Sequence, residues 1–221
     1  MELFHFKFTV FLLVLLFWEF FLINCDAVGR CLEAENSTLL QLKKGFTTEK
    51  LESWLPGTDC CGWVGVTCDE YGRITGLDLG FRYITGTIDP SLFNRTSLRT
   101  PTFSGNNFNG IPIPNSGWDK LLNLSSLDLY NAGFAGNVPA SISRLTKLSF
   151  LDLTCNSKHS LAINPMILQN MSSLKELILD NVNVSSYRDE WCGVLVNSIP
   201  VLELLSINST SDGSEKMAGD K

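Results

Sequence analysis

The stretch Leu148-Ser149-Phe150-Leu151-Asp152-Leu153 decides the architecture, because its pattern L-x-x-L-x-L returns along the chain. It recurs as ITGLDL at 74–79, LSSLDL at 124–129, LKELIL at 174–179 and LELLSI at 202–207, with a weaker copy, LRTPTF, at 98–103. The equivalent core positions are Leu77, Pro101, Leu127, Leu151, Leu177 and Leu205, so the steps are 24, 26, 24, 26 and 28 residues. Within each copy the L-x-L alternation sends the leucines to one side and the x residues to the other, as in a short strand. One such coil cannot bury its own leucines; stacking on neighbours does. A period in this range predicts a solenoid.

The residues after each strand fit the same plan. Asn106 and Asn156 sit three residues past the last apolar position, where the side chain is expected to bond the turning backbone of the next coil. Phe108 and Phe134 follow, then Gly110 and Gly136, then Pro112 and Pro139. The aromatic fills the coil, Gly permits the bend and Pro fixes the return arm. The pattern breaks at three places. Arg95 takes the slot that Leu145 fills two repeats later, and must reach solvent or a partner. Pro101 removes a ladder donor from its strand. After Asn156 the run SKHSLAINPMILQNM lacks the aromatic, glycine and proline signals, which predicts a wider loop. The last copy, at Leu202, should expose its leucines and pass into a polar tail, disordered over 211–221.

The N-terminus is of another kind. Residues 1–27 are apolar from Phe8 to Trp18 and then small at Cys25 and Ala27, which reads as a secretory signal peptide. The remainder shows no second hydrophobic span, so the mature chain is expected to lack a membrane span. An oxidising route favours disulfides over metal for the cysteines that follow. In TDCCGWVGVTC, residues 58–68, Cys60 and Cys61 are adjacent and should not bond each other. Cys31 and Cys68 are the nearest candidate partners, and four cysteines allow three connectivities. The C-C-x6-C spacing is poor for zinc. Leu39, Leu42 and Phe46 are expected on one helical face, with Leu40 beside them and Trp54 and Trp63 covering it.

On these motifs the chain resembles the extracellular part of plant leucine-rich-repeat receptor-like proteins and receptor kinases. GNVPASISRLTKLSFLDL is similar to their 24-residue repeat, CLEAENSTLLQLKKGF with LESWLPGTDCCGWVGVTCD to their N-terminal cap, and DEWCGVLVNSIPVLELLSI to a segment common in the branch without a kinase. The resemblance spans about Cys31 to Thr210. It implies an α/β solenoid: a curved right-handed leucine-rich-repeat coil with short parallel strands on the concave face and a disulfide-bonded helical N-terminal cap. Domain expectations are a signal peptide at 1–27, the cap at 28–72, about six repeats at 73–210 and the tail at 211–221. The resemblance also implies the pairs Cys31–Cys60 and Cys61–Cys68. Family members run on through many more repeats and a transmembrane helix, so the chain resembles a truncated ectodomain. Cys192 lacks the family's partner, Thr210 standing in its place, and Cys155 and Cys192 are expected to be free thiols.

Composition and motifs narrow the function. The chain has 221 residues, 44% hydrophobic and 18% charged, with a net charge of −6 and no basic run, which excludes a nucleic-acid binder. Outside the leader there is one histidine, His159, and no nucleophile motif or phosphate loop, so no catalytic residue, metal site or cofactor is expected. The x positions form one concave surface, and the ligand-binding candidates on it are Asp78, Asp128, Tyr130, Phe150, Asp152, Glu176, Ile178 and Asp180. Asp128 and Asp152 should stand about 4.8 Å apart in adjacent strands, close enough to raise one carboxyl. Six N-x-S/T sequons, at Asn36, Asn94, Asn123, Asn170, Asn183 and Asn208, are candidate glycosylation sites. The expectation is an extracellular or cell-surface recognition protein in plant defence or development. By resemblance it takes a peptide or protein ligand and a co-receptor kinase. The alternatives are a secreted inhibitor of microbial cell-wall hydrolases, or a truncated product without function.

Overall fold

The computed structural model describes residues 30–156, 158–184 and 188–208. The expected signal peptide, with Cys25, and the polar tail lie outside these residues. In chain order the elements are α1 (Glu33–Lys44), β1 (Phe46–Thr47), β2 (Val66–Cys68), β3 (Ile74–Asp78), β4 (Thr85–Gly86), β5 (Thr100–Thr102), β6 (Ser126–Asp128), β7 (Gly136–Asn137), β8 (Phe150–Asp152), β9 (Leu161–Ala162), β10 (Glu176–Ile178), α2 (Arg188–Ser198) and β11 (Leu204–Ser206). One seven-stranded sheet runs β11-β10-β8-β6-β5-β3-β2, parallel throughout except for the β2–β3 pair. Its register aligns Leu77 with Pro101 and Leu127 with Leu151, Leu177 and Leu205, the same positions the period picks out.

Each coil returns on the other side through a 3-10 turn: Pro90–Asn94, Trp118–Lys120, Ala140–Arg144 and Pro165–Asn170. Asp89 and Asn164 cap the first and last of these by accepting from Ser91 N–H and Met166 N–H. Between strand and turn lies one continuous core, from Leu39 in α1 to Ile199. Leu127, Leu151 and Leu177 are completely buried, each worth about 1.5–3 kcal/mol relative to exposure. Phe108 stacks on Phe134 at 4.4 Å and meets Phe103 edge-on at 6.1 Å, so the aromatics do fill the coils.

The cap closes the β2 end. In α1, Leu39 and Leu42 face inward, with Glu33 and Glu35 in the first turn and Lys43 and Lys44 in the last, matching the helix dipole. Trp54 and Trp63 stack at 5.6 Å, and both indole N–H groups are satisfied, by the Val64 carbonyl and Thr58 Oγ1. Disulfides join Cys31 to Cys60 and Cys61 to Cys68, with Cα separations of 5.4 and 5.6 Å. Asp59 Oδ1 accepts from the N–H groups of Cys31 and Cys61, which sets the two bridges side by side. The sulfurs of Cys31, Cys60 and Cys61 lie within 4.8 Å of one another for this reason, and bridged sulfurs are not thiolate ligands.

Two details differ from the sequence reading. Phe46 is not on the helix: α1 ends at Lys44 and Phe46 begins β1, paired antiparallel with β4. Gly45 allows this exit, since a Cβ there would collide with the Thr87 carbonyl. Asn106 bonds the preceding coil, not the next: its Oδ1 accepts from Arg82 and Ile84 N–H, and its Nδ2 donates to the carbonyls of Leu79 and Phe103. From Lys158 the chain passes through β9, which pairs in parallel with β7, and buries Leu161 and Ile163.

The irregular second repeat finds compensations. Arg95 stands where Leu121, Leu145 and Met171 stand in later coils, all three completely buried. Its guanidinium pairs with Glu35 of α1, Nη1 to Oε1 3.4 Å, tying the first coil to the cap. Pro101 is buried in β5, which keeps three register pairs with β3 but only Thr102–Asp128 with β6. The donor that proline lacks accounts for the shortened ladder.

Candidate functional site: the concave face

The side chains of the parallel strands that point away from the core make one open surface. In β3 to β10 its central row reads Asp78, Thr102, Asp128, Asp152 and Ile178, each registered against the next. Asp78 is exposed, Asp128 and Ile178 are half-buried, and Asp152 is buried at 7% exposure. The row beside it holds half-buried Phe150 and exposed Glu176, and the next holds exposed Tyr130 and half-buried Asp180. All eight candidates therefore share one face. They are not equally available, and Asp152 contributes charge more than contact.

The aspartates have a local task that the sequence reading did not foresee. Asp78 Oδ1 accepts from Gly80 N–H at 3.0 Å, Asp128 Oδ1 from Tyr130 N–H at 2.9 Å and Asp152 Oδ1 from Thr154 N–H at 2.8 Å. Each carboxylate closes an Asx turn where its strand ends, a geometry short acidic or amide side chains favour. One oxygen is thus spent on the fold. The other oxygen of Asp128 accepts from Thr102 Oγ1 at 2.8 Å.

Burial pushes the Asp152 carboxyl up. The Thr154 N–H bond opposes the rise, and the Asp128 and Asp180 charges add to it. The neighbouring-charge effect expected from the sequence is present but secondary to desolvation. Asp180 goes the other way. Burial acts to raise it, but bonds from Ser206 Oγ and from Asn208 N–H and its side chain hold it below the usual carboxylate range.

The sequons divide by geometry. Asn36 departs from the expectation: it is 8% exposed inside α1 and its Nδ2 donates to the Thr58 carbonyl at 2.7 Å, leaving no room for a glycan in the folded cap. Asn94 and Asn170 are exposed at the ends of equivalent 3-10 turns, on the flank that precedes the strands. Asn123 is exposed on that flank, though its amide bonds the Thr96 carbonyl and Lys147. Asn183 and Asn208 are exposed, Asn208 just past β11. Cys155 is a buried free thiol and Cys192 an exposed one.

Sequence reasoning missed Phe81 and Tyr83, both strongly exposed in the loop after β3. The available signal was an aromatic at the position that later coils give to Gly105, Asn131, Cys155 and Asn181.

Comparison with known proteins agrees with this geometry. A family model for the leucine rich repeat N-terminal domain matches residues 32–69. Receptor-like protein 7 of Arabidopsis thaliana is 36% identical over 169 residues, covering 71% of this chain and 17% of that protein. Receptor-like protein Cf-9 of Solanum pimpinellifolium is 34% identical over 181 residues, covering 78% of this chain and 20% of that protein. Among solved structures, the Arabidopsis receptor kinase HAESA in complex with the peptide hormone IDA and the co-receptor SERK1 matches with a TM-score of 0.61 and 26% identity, over 80% of this chain and 33% of that one. The chain thus spans about a fifth of the length of these curated relatives. With its cap, its coil register and these likenesses together, the chain belongs to the plant leucine-rich-repeat receptor-like proteins.

Proposed function

We propose that this chain is an extracellular recognition module that reads a basic peptide, or a basic segment of a protein, along its concave face. The observation that carries the reading is the charge of that face. Asp78, Asp128, Asp152, Glu176 and Asp180 line it, and its outward positions from Gly76 to Asp180 include no lysine or arginine. Tyr130, Phe150 and Ile178 supply apolar contact among the carboxylates. Such a surface selects by complementary charge and anchors by a few apolar side chains. The relative HAESA binds a peptide hormone together with a co-receptor kinase. By analogy this chain's signalling role depends on a kinase partner. The two cap disulfides suit an oxidising, extracellular setting, and among the described residues no helix is long and apolar enough to cross a membrane.

The test uses the secreted chain and an immobilised peptide library graded in charge. Asp78→Asn, Asp128→Asn and Glu176→Gln are combined; the amide oxygens of the first two preserve their Asx turns while all three remove charge. Basic peptides should bind the parent chain, weaken with added salt, and lose about tenfold or more in affinity in the triple variant. Equal binding by parent and variant would remove the concave face from the reading.

A further inference from the structure

The loop after β3 holds two bulky residues in the left-handed region, Phe81 and Tyr83, both at φ 53°. Three of the four later coils give the position of Phe81 to Gly105 (φ 62°), Asn131 (φ 49°) and Asn181 (φ 59°), residue types that accept this conformation, while the fourth has Cys155 there without a positive φ. An aromatic there is strained, and persists only where its surroundings over-determine the backbone. They do so here. Phe81 N–H donates to the Ser104 carbonyl at 2.8 Å, and Asn106 Oδ1 accepts from the N–H groups of Arg82 at 3.2 Å and Ile84 at 2.9 Å. Thr48 Oγ1 donates to the Arg82 carbonyl at 2.6 Å. Gly105 presses on one side of the Phe81 ring, where any Cβ would collide with it. For all this support the two rings are left in water, 67% and 76% exposed. The fold holds them there against both backbone preference and the hydrophobic effect.

The surroundings say what such rings could meet. The segments 80–86, 104–111, 130–137 and 154–160, which follow the strands in the first four coils, contain no carboxylate. Arg82, between the two rings, is half-buried. The exposed Asn107 lies against this loop, its N–H donating to the Ile84 carbonyl at 2.9 Å. None of these segments contains a sequon, and Asn94, Asn123 and Asn170 lie on the opposite flank, before the strands; Asn183, after β10, is the sequon on this side. Within these four segments the rim is aromatic, amide-bearing and free of acid, unlike the concave face beside it; the exposed Glu49 of the cap follows Thr48 at its edge.

We propose that Phe81 and Tyr83 form a stacking platform for a neutral polysaccharide. The C–H faces of pyranose rings lie on the aromatic rings, and the Tyr83 hydroxyl and the Asn107 Nδ2 donors bond the sugar hydroxyls, Asn107 Oδ1 being held by Asn109 N–H. An uncharged ligand suits post-strand segments that have no carboxylate of their own to offer a basic one. The platform is separate from the peptide surface and stands or falls without it.

The experiment is native affinity electrophoresis of the full secreted chain in gels containing xyloglucan or mixed-linkage β-glucan, with polygalacturonate as the acidic control. The comparison is with Phe81→Asn combined with Tyr83→Asn. Neutral glucan should retard the parent chain, and the variant should lose that retardation at least fivefold while melting at or above the parent temperature, because Asn relieves the left-handed strain. Intact cap disulfides in the variant, read by non-reducing mass mapping, keep the comparison fair. The proposal is overturned by no retardation in either glucan, by retardation in polygalacturonate alone, by equal retardation of the variant, or by a variant that melts lower. Capture of a protein through these two rings, with no glucan binding, also overturns it.

Discussion

Leu77 and Leu205 occupy the same slot of the same repeat, yet one is 1% exposed and the other 41%. Leu77 lies between β2 with the cap behind it and the next coil in front. Leu205 has β10 on one side, and among the described residues no strand pairs with β11 on the other. Leu204 and Ile207 share its exposure. The contrast teaches that a leucine in this fold is stabilised by the coils on either side and hardly at all by its own. The sharpest way to break the comparison is to delete the same atoms at both kinds of site. Leu151→Ala, between two coils, should cost about 2–5 kcal/mol, and Leu205→Ala about 1 kcal/mol or less. Urea midpoints of the two variants measure this directly. Equal losses would mean that stability does not follow neighbour stacking.

The closed end depends on its bridges. Cys31–Cys60 spans 29 residues of sequence and Cys61–Cys68 spans 7. By loop-closure entropy their removal should cost about 3.5 and about 2.5 kcal/mol respectively. Replacing each pair by serines and comparing thermal melts checks the order. A larger loss from the shorter loop would place the effect in cap packing instead of the unfolded chain.

A smaller effect is expected where cap and first coil meet. Glu35 and Arg95 are largely removed from water, and Glu35 Oε2 and Arg95 Nε find no partner. An incompletely satisfied buried pair contributes little net stability, while breaking it strands a charge. Arg95→Leu alone should therefore destabilise by about 1–3 kcal/mol, and Arg95→Leu with Glu35→Leu should recover that loss or exceed the parent. A double-mutant cycle measures the coupling. A double variant as weak as the single one would show that the pair is a net contributor.

How much of this was readable beforehand follows from what sets each feature. Strand positions were legible because L-x-x-L-x-L is a periodic signal that ties side-chain direction to backbone register, and Leu127, Leu151, Leu177 and Leu205 align as the spacing requires. Concave candidates were legible for the same reason. The exit of Phe46 from α1 was not, because it turns on the contact between Gly45 and Thr87, 42 residues apart in sequence. Nor was the burial of Asn36: a sequon is a local pattern, whereas its amide is consumed by the Thr58 carbonyl across the cap. The Asx role of Asp78, Asp128 and Asp152 needed only the strand's end point, and lay within reach.

The smallest predicted effect concerns pH, and its sign separates two groups of carboxyls. Glu35 and Asp152 are raised above their ordinary values of 4.5 and 3.8. Burial is the first cause in both; Arg95 pulls Glu35 back, and the Thr154 N–H bond opposes the rise at Asp152. In the folded chain each keeps its proton to a higher pH than in the unfolded chain, so the native state binds more protons above the ordinary value. Stability then falls as pH rises through that window, with the Glu35 contribution complete below about pH 4.5 and lost above it. Asp69, Asp89 and Asp180 are lowered, so their contribution is present above 3.8 and lost as pH falls through their folded values. The two groups together place the stability maximum on the acidic side of neutral. Urea midpoints from about pH 4 to pH 8 should fall as pH rises from the ordinary Glu35 value through its raised folded value and then level off for the parent chain, and fall less for Glu35→Gln, which holds no proton to lose. Parallel curves would remove Glu35 from the cause and leave Asp152, on the other face of the sheet, as the group to substitute next.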